Sequence, residues 1–79
     1  MSRLPIVNFK VLEKTLMKIG FQATRQKGSH VFYKHPDGRT TTIPHHTGRD
    51  IARPLLMEII KEIGMTTDEF CNLVKKKKK

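Results

Sequence analysis

The residues best suited to chemistry lie in the run GSHVFYKHPDGRTTTIPHH, which extends from Gly28 to His46. His30 stands near its start, directly after two small residues. Four cationic side chains that could bind phosphate are close in sequence: Arg25, Lys27, Lys34 and Arg39. A neutral imidazole can remove the 2′-hydroxyl proton of RNA, while cations stabilise the charge that develops on the phosphate oxygens. The run therefore predicts a metal-free ribonuclease site.

The same residues also have structural explanations. A histidine in a strand is commonly structural or simply exposed. Gly28 suits a tight turn. The tetrapeptide from His35 to Gly38 has proline second and glycine fourth, as in a type I turn, so we assign it to structure. Arg39 follows that turn and is either a solvated side chain or a phosphate ligand.

The histidines and the cysteine do not predict a metal site. His30 and His35 are five positions apart, so in a regular strand their side chains point to opposite faces. His45 and His46 are adjacent and also diverge, and no usual zinc spacing is present. Cys71 lies in an amphipathic segment and is expected to be a small core residue. We predict neither a metal nor a cofactor.

Length and composition predict one domain over residues 1–74, followed by a disordered lysine tail over residues 75–79. The chain has 79 residues, 37% of them hydrophobic and 29% charged, which is typical of a small globular domain. Its single cysteine cannot form an intrachain disulfide. No segment resembles a signal peptide or approaches the roughly 20 apolar residues that span a bilayer. We therefore expect a cytoplasmic protein that does not enter membranes.

The positive charge is concentrated in the first half of the chain. Residues 1–47 carry eight Lys and Arg against two acidic residues, whereas residues 48–74 carry three against five. With a net charge of +9, this asymmetry favours a polyanionic partner such as RNA, although charge also serves solubility. Lys10, Lys14 and Lys18 repeat every four residues and are either a solvated helix face or further phosphate contacts.

Hydrophobic periodicity predicts the order αβββα with a short helix at the C-terminal end. Asn8 is a suitable N-cap for a helix over residues 9–19, and Gly20 suits its end. A second helix is predicted to start near Pro54, and Thr66 and Glu69 have the spacing of a capping box for the last one. Alternation and turn residues predict strands over residues 21–27, 30–35 and 40–43, the third closed by Pro44.

Taken together, these motifs resemble those of the HicA (YcfA-like) toxin family. The resemblance is carried by Gly28-Ser29-His30, His35-Pro36-Asp37-Gly38-Arg39, Ile43-Pro44 and His46-x-Gly48. It extends over nearly the whole chain, through Leu4-Pro5, Gly20-Phe21, Ile59-Ile60 and Gly64. One segment departs from the family pattern: many relatives have Lys-Pro-Gly-Thr-Leu where this chain has Ala52-Arg53-Pro54-Leu55-Leu56.

The resemblance implies an α+β fold like that of double-stranded-RNA-binding domains, with a three-stranded antiparallel sheet and two main helices on one face. It implies a metal-independent endoribonuclease, an mRNA interferase, whose catalytic residue is the histidine of the Gly-Ser-His motif, here His30. It further implies a HicB-type antitoxin that covers the site. We assign RNA binding to Arg25, Lys27, Ser29, Lys34 and Arg39, and support of the site to Gly28 and His46.

Two other functions remain open. The chain is alternatively a non-catalytic module that recognises RNA by shape, with His30 as a contact only. It is also consistent with a protein-interaction domain whose charge serves an acidic partner. The task of His46 is open as well, between holding its loop through a backbone hydrogen bond and a second proton transfer.

Overall fold

The computed structural model describes residues 4–46 and 48–75. Lys75, predicted to begin a disordered tail, is instead the last residue of a helix, and the remainder of that predicted tail lies outside the described residues. The described residues form three helices and three strands. The helices are α1 (Phe9–Lys18), α2 (Arg53–Glu62) and α3 (Thr67–Lys75), and the strands are β1 (Gln22–Lys27), β2 (His30–Lys34) and β3 (Thr40–Pro44). The predicted element order is confirmed, with small shifts of the boundaries. None of the described helices has the length and apolar character needed to cross a membrane.

Local sequence signals set the helix ends. The Oδ1 atom of Asn8 accepts a hydrogen bond from the backbone N–H of Val11 (2.9 Å), which makes Asn8 the N-cap of α1. Before α3, the N–H of Thr66 donates to Glu69 Oε1 (2.9 Å), and the N–H of Glu69 donates to Thr66 Oγ1 (3.1 Å). This is the predicted capping box. The first turn of α2 contains Pro54, also as expected.

The strands form an antiparallel sheet in the order β1-β2-β3, so each strand pairs with its neighbour in sequence. Gly28 and Ser29 form the two-residue turn between β1 and β2. The turn between β2 and β3 is closed by the N–H of Gly38, which donates to the carbonyl of His35 (2.9 Å). Both predicted hairpins are therefore present, and they arrange the sheet without any crossover.

One face of the sheet carries the core and the other faces solvent. Along β2, Val31 and Tyr33 are buried, while His30 and Lys34 on the opposite face are exposed. The inward residues of the sheet pack with apolar residues of all three helices. The fully buried large side chains are Tyr33, Phe21, Phe70, Leu12, Leu16, Ile43, Leu56, Ile59 and Ile63. Cys71 is buried, as predicted.

Strand β1 differs from the half-buried strand that its alternating sequence suggests, because all six of its residues are exposed. It is an edge strand, and a cavity of about 440 Å³ separates its inner side from α1. A bulge interrupts its pairing with β2: Ala23 lies opposite Tyr33, but the next paired residue, Arg25, lies opposite Phe32. Thr24 is thus the extra residue of the bulge, and its hydroxyl donates to the carbonyl of Phe32 (3.2 Å).

Two buried-side hydrogen bonds attach the helices to the sheet. The hydroxyl of Tyr33 donates to Glu13 Oε2 on α1 (2.7 Å), and the hydroxyl of Thr41 donates to Glu62 Oε1 on α2 (2.7 Å). Burial raises the pKa of Tyr33 above its ordinary value, and the bond to Glu13 raises it further. The phenol therefore stays protonated and acts as a donor, which fixes α1 against β2.

Candidate active site and nucleic-acid interface

His30 is the first residue of β2 and lies on the outer face of the sheet, away from the helices. Its partner across β1 is Lys27, and its partner across β3 is Pro44. Directly opposed residues of antiparallel strands present their side chains on the same face, with Cβ atoms about 5 Å apart. An exposed imidazole and an ammonium group are thus neighbours at one end of the sheet.

The turn before His30 requires glycine at its first position. Gly28 has a φ of +61°, and among the described residues only glycines have positive φ. A two-residue hairpin turn with positive φ at its first residue alone has the pattern of type II′, in which glycine takes that place. The Nε2 group of Gln26 donates to the Gly28 carbonyl (3.0 Å), which holds the turn from the β1 side. The predicted supporting role of Gly28 thus has a conformational basis.

The segment after β3 holds the same turn from the other side. The backbone N–H of His45 donates to the carbonyl of Ser29 (2.6 Å), and the His45 ring stacks on Phe9 of α1, with 4.0 Å between centroids. His46 is exposed, and its carbonyl accepts a hydrogen bond from the N–H of Arg49 (3.1 Å). Ser29, His30 and the His45–His46 segment therefore meet at one end of the sheet.

Two of the predicted RNA-binding cations share the outer face with His30 on its β1 side. Lys27 lies opposite His30, and Arg25 lies opposite Phe32. The guanidinium carbon of Arg25 is 5.0 Å from the centroid of the Phe32 ring. Phe32 was not among the residues selected from the sequence, although its two-residue spacing from His30 in a predicted strand would have placed both on one face. Its pairing with Arg25 is revealed only by the strand register.

Lys34 and Arg39 lie toward the other end of the sheet. Lys34 is on the outer face, but it is four residues from His30, or about 13 Å along an extended strand. Arg39 donates through Nε to Asp37 Oδ2 (2.9 Å) and through Nη1 to the carbonyl of Ile63, and it lies over Phe21. Its side chain thus joins the hairpin turn to the end of α2.

His35 also has a structural place at this end. Its Nδ1 atom accepts a hydrogen bond from the N–H of Asp37 (3.1 Å), which leaves Nε2 as the donor to the carbonyl of Ile19 (2.9 Å). The ring packs edge-on against Phe21. It therefore closes the C-terminal end of α1 and is remote from His30. Among residues 4–46 and 48–75, no group of three or more His, Cys, Asp or Glu could hold a metal ion.

The lysine stripe of α1 lies apart from the outer sheet face. Lys10, Lys14 and Lys18 border a groove of about 720 Å³ between α1 and α3, which includes Leu73 and Val74. Because the helices cover the inner face of the sheet, this groove is on the other side of the molecule from His30. The stripe therefore does not extend the cationic surface around the histidine.

Comparison with known proteins gives one informative match. The family model described as the HicA toxin of bacterial toxin-antitoxin systems matches residues 9–65, which include β1, β2, β3 and His30. No curated protein matches the chain. A match over well more than half of the 79 residues, on a fold with the expected strand and helix order, identifies the family. The chain therefore belongs to the HicA toxin family, whose members are toxins of toxin-antitoxin systems and generally cleave mRNA.

Proposed function

We propose that this protein is a metal-independent endoribonuclease that cleaves mRNA with His30 as its general acid-base residue. The observation that carries the proposal is the position of His30: exposed on the outer sheet face, next to a hydrogen-bonded turn, opposite Lys27. A phosphodiester backbone can reach such a histidine without any rearrangement of the core. Family membership supports the substrate class, and the neighbouring cation supports phosphate binding.

The proposed reaction is an internal transfer within the RNA. Neutral His30 accepts the 2′-hydroxyl proton, and the 2′ oxygen attacks the adjacent phosphorus. The bond from phosphorus to the 5′ oxygen breaks, and that oxygen takes a proton from water. The products are a 2′,3′-cyclic phosphate and a 5′-hydroxyl, and the imidazolium returns its proton to solvent. Lys27 stabilises the charge that develops on the non-bridging phosphate oxygens.

The remaining predicted site residues have graded roles in this proposal. Gly28 and Ser29 hold His30 at the turn, and Ser29 also contacts the RNA backbone near the phosphodiester bond that is cleaved. Arg25 binds a flanking phosphate or base. Lys34 and Arg39 contact RNA farther along the sheet, Arg39 with the part of its side chain that Asp37 leaves exposed. His46 supports the loop beside the turn.

The proposed partner is a HicB-type antitoxin, which neutralises the toxin by covering the His30 end of the sheet. This end is exposed and cationic, so an acidic surface of a partner would both mask the histidine and compete with RNA. The compartment that we propose for both proteins is the cytoplasm, where mRNA is available.

The decisive experiment is an RNA cleavage assay in EDTA with the wild type and His30→Ala. We expect the wild type to cleave and His30→Ala to lose at least about 100-fold in rate, the usual contribution of a general acid-base residue. Lys61→Ala on the exposed side of α2 is the matched control and should retain activity. Analysis of the fragment ends should reveal 2′,3′-cyclic phosphate. Undiminished cleavage by folded His30→Ala would overturn the proposal.

The second candidate is a non-catalytic module that binds RNA on the same face. It is favoured by the exposed cations and aromatic ring of the outer sheet surface, which suffice for binding without chemistry. In that case, the wild type binds RNA at low salt but produces no fragments. A binding titration beside the cleavage assay separates the two functions.

A further inference from the structure

We propose that Arg25 and Phe32 form a stacking site for one unpaired base beside the cleaved phosphate, so that the substrate is single-stranded where it is cut. The inference deepens the proposed ribonuclease function and rests on it, because it places the base beside the phosphate at which RNA is cut. It assigns a task to Phe32, which is not part of the hydrophobic core of the described residues.

The first observation is that Phe32 is an aromatic residue on the outer face of the sheet, opposite the face that packs against the helices. Its strand neighbours Val31 and Tyr33 point into the core, while Phe32 points outward and is only partly buried. It is absent from the core cluster formed by the described residues. Outward positions of a half-exposed sheet are usually polar, so Phe32 is an apolar ring on the face that carries His30 and the cations.

The second observation is the cation above the ring. Arg25 lies directly across from Phe32 and holds its guanidinium carbon 5.0 Å from the ring centroid. Both the planar guanidinium and the aromatic ring are surfaces on which nucleic-acid bases stack. Across the other strand, the partner of Phe32 is Thr42, whose side chain is small.

The third observation is distance. Phe32 and His30 lie on the same face and two residues apart, which places them about 7 Å from each other along β2. Lys27 accompanies His30, and Arg25 accompanies Phe32. The outer face therefore holds two adjacent pairs, one suited to a phosphate and one suited to a base, separated by a distance that neighbouring groups of one RNA strand can span.

These features favour an unpaired base over duplex RNA. In an A-form helix the bases are stacked inside, and proteins reach mainly the phosphates and 2′-hydroxyls of the shallow groove. A ring such as Phe32 can contribute to binding only if a base leaves the stack. A surface that recognised duplex by shape alone would need its cations but would gain nothing from the ring.

The test uses His30→Ala protein, which removes cleavage, and a short single-stranded RNA that contains 2-aminopurine. We expect fluorescence quenching on binding, and weak competition from the same strand annealed to its complement. Phe32→Leu keeps an apolar side chain but removes the ring, and should weaken binding about tenfold, as loss of one base stack does. Phe32→Tyr should restore binding, and Arg25→Lys, which keeps the charge, should weaken it. Thr42→Ser is the matched control and should bind normally.

The outcomes separate this inference from the proposed function. If the wild type cleaves RNA but folded Phe32→Leu binds and cleaves single strands unchanged, the stacking site is wrong and the ribonuclease stands. If quenching depends on Phe32 but no protein cleaves RNA, the stacking site stands and the ribonuclease is wrong. Equal affinity for duplex and single strand, without quenching, also overturns the stacking site. Thermal unfolding of each variant excludes misfolding as the cause.

Discussion

Gly28 and Gly20 both have positive φ, yet their replacement should have unequal effects on stability. No described atom lies within 4 Å of a Cβ placed on Gly28, so Gly28→Ala encounters only the backbone cost of φ +61°. A Cβ on Gly20 would lie 2.7 Å from Nε2 of His35, which is held by its bond to the Ile19 carbonyl. Gly28 is therefore required by its backbone conformation alone, whereas Gly20 is required by its conformation and by the close approach of His35.

We expect Gly28→Ala to lower the free energy of unfolding by about 1–3 kcal/mol, the cost of holding a residue with a Cβ in a sparsely populated positive-φ conformation. Gly20→Ala should lose roughly 1–3 kcal/mol more, because it adds overpacking against His35. Denaturant unfolding measures both. Gly38→Ala is the control and should cost about as much as Gly28→Ala, since Gly38 also has a positive φ and no described atom lies within 4 Å of a Cβ placed on it. Equal losses for Gly28→Ala and Gly20→Ala would contradict the steric argument.

At the scale of single residues, the sequence predicted a catalytic histidine but not the side chains that surround it. The Gly-Ser-His motif pointed to His30, and turn chemistry explained Gly28. The contacts of Phe32 with Arg25 and of His45 with Phe9 could not be predicted, because they join residues that only the strand register or the tertiary packing brings together. Arg39 illustrates the same limit, since its partner Ile63 lies 24 residues away at the end of α2.

Among the elements, the hairpin turn between β2 and β3 is stabilised by an ionised carboxylate. The backbone N–H of Arg39 donates to Asp37 Oδ1 (3.0 Å), and its side-chain Nε donates to Oδ2 (2.9 Å). The hydrogen bonds from Arg39 lower the pKa of Asp37 below its ordinary 3.8. The folded state thus favours the charged form, so this contribution is present above about pH 4 and is lost as the pH falls through the lowered pKa.

We therefore expect Asp37→Asn to lower the melting temperature slightly at pH 7, with the difference from wild type shrinking below about pH 4. Thermal unfolding at several pH values measures this. Glu58→Gln on the exposed side of α2 makes the same charge change away from the turn. A difference between wild type and Asp37→Asn that stays constant down to pH 2.5 would contradict the assigned role of the carboxylate.

The elements themselves were largely predictable, because their ends depend on local chemistry. Asn8, Pro54 and the Thr66–Glu69 pair act within a few residues of their own positions, and the structure has each where the sequence suggested. The exposure of β1 was not predictable. It depends on how far α1 extends over the sheet, which is a property of packing between distant segments.

For the whole molecule, the distribution of charge sets how RNA binding should respond to salt. If Arg25, Lys27 and Lys34 each contact one phosphate, binding neutralises three phosphates and releases their counterions. The logarithm of the RNA-binding constant should then fall with the logarithm of the salt concentration with a slope of roughly −2 for a single strand. In the His30→Ala background, Lys27→Ala should reduce the magnitude of that slope by about 0.7. Lys14→Ala, which lies in the groove between α1 and α3, should leave it unchanged. An equal reduction by Lys14→Ala would contradict a single binding face.

At this scale, composition indicated a polyanionic partner but not which surface meets it. The fold places Arg25, Lys27 and Lys34 on the outer sheet face, the three lysines of the α1 stripe beside the groove between α1 and α3, and Arg39 at the hairpin turn. Which surface each cation occupies depends on the alternation of side chains along the strands and on how the helices pack. Counting charges along the sequence therefore does not predict it.

The bulge at Thr24 shifts the side-chain alternation of β1 by one residue. On the turn side of the bulge, Arg25 and Lys27 pair with the outward residues Phe32 and His30. On the other side, Ala23 pairs with the inward residue Tyr33. With strict alternation, Ala23 and Arg25 would share a face. The extra residue Thr24 places them on opposite faces instead. Arg25 and Lys27 can therefore be substituted without a change in the residue that pairs with Tyr33.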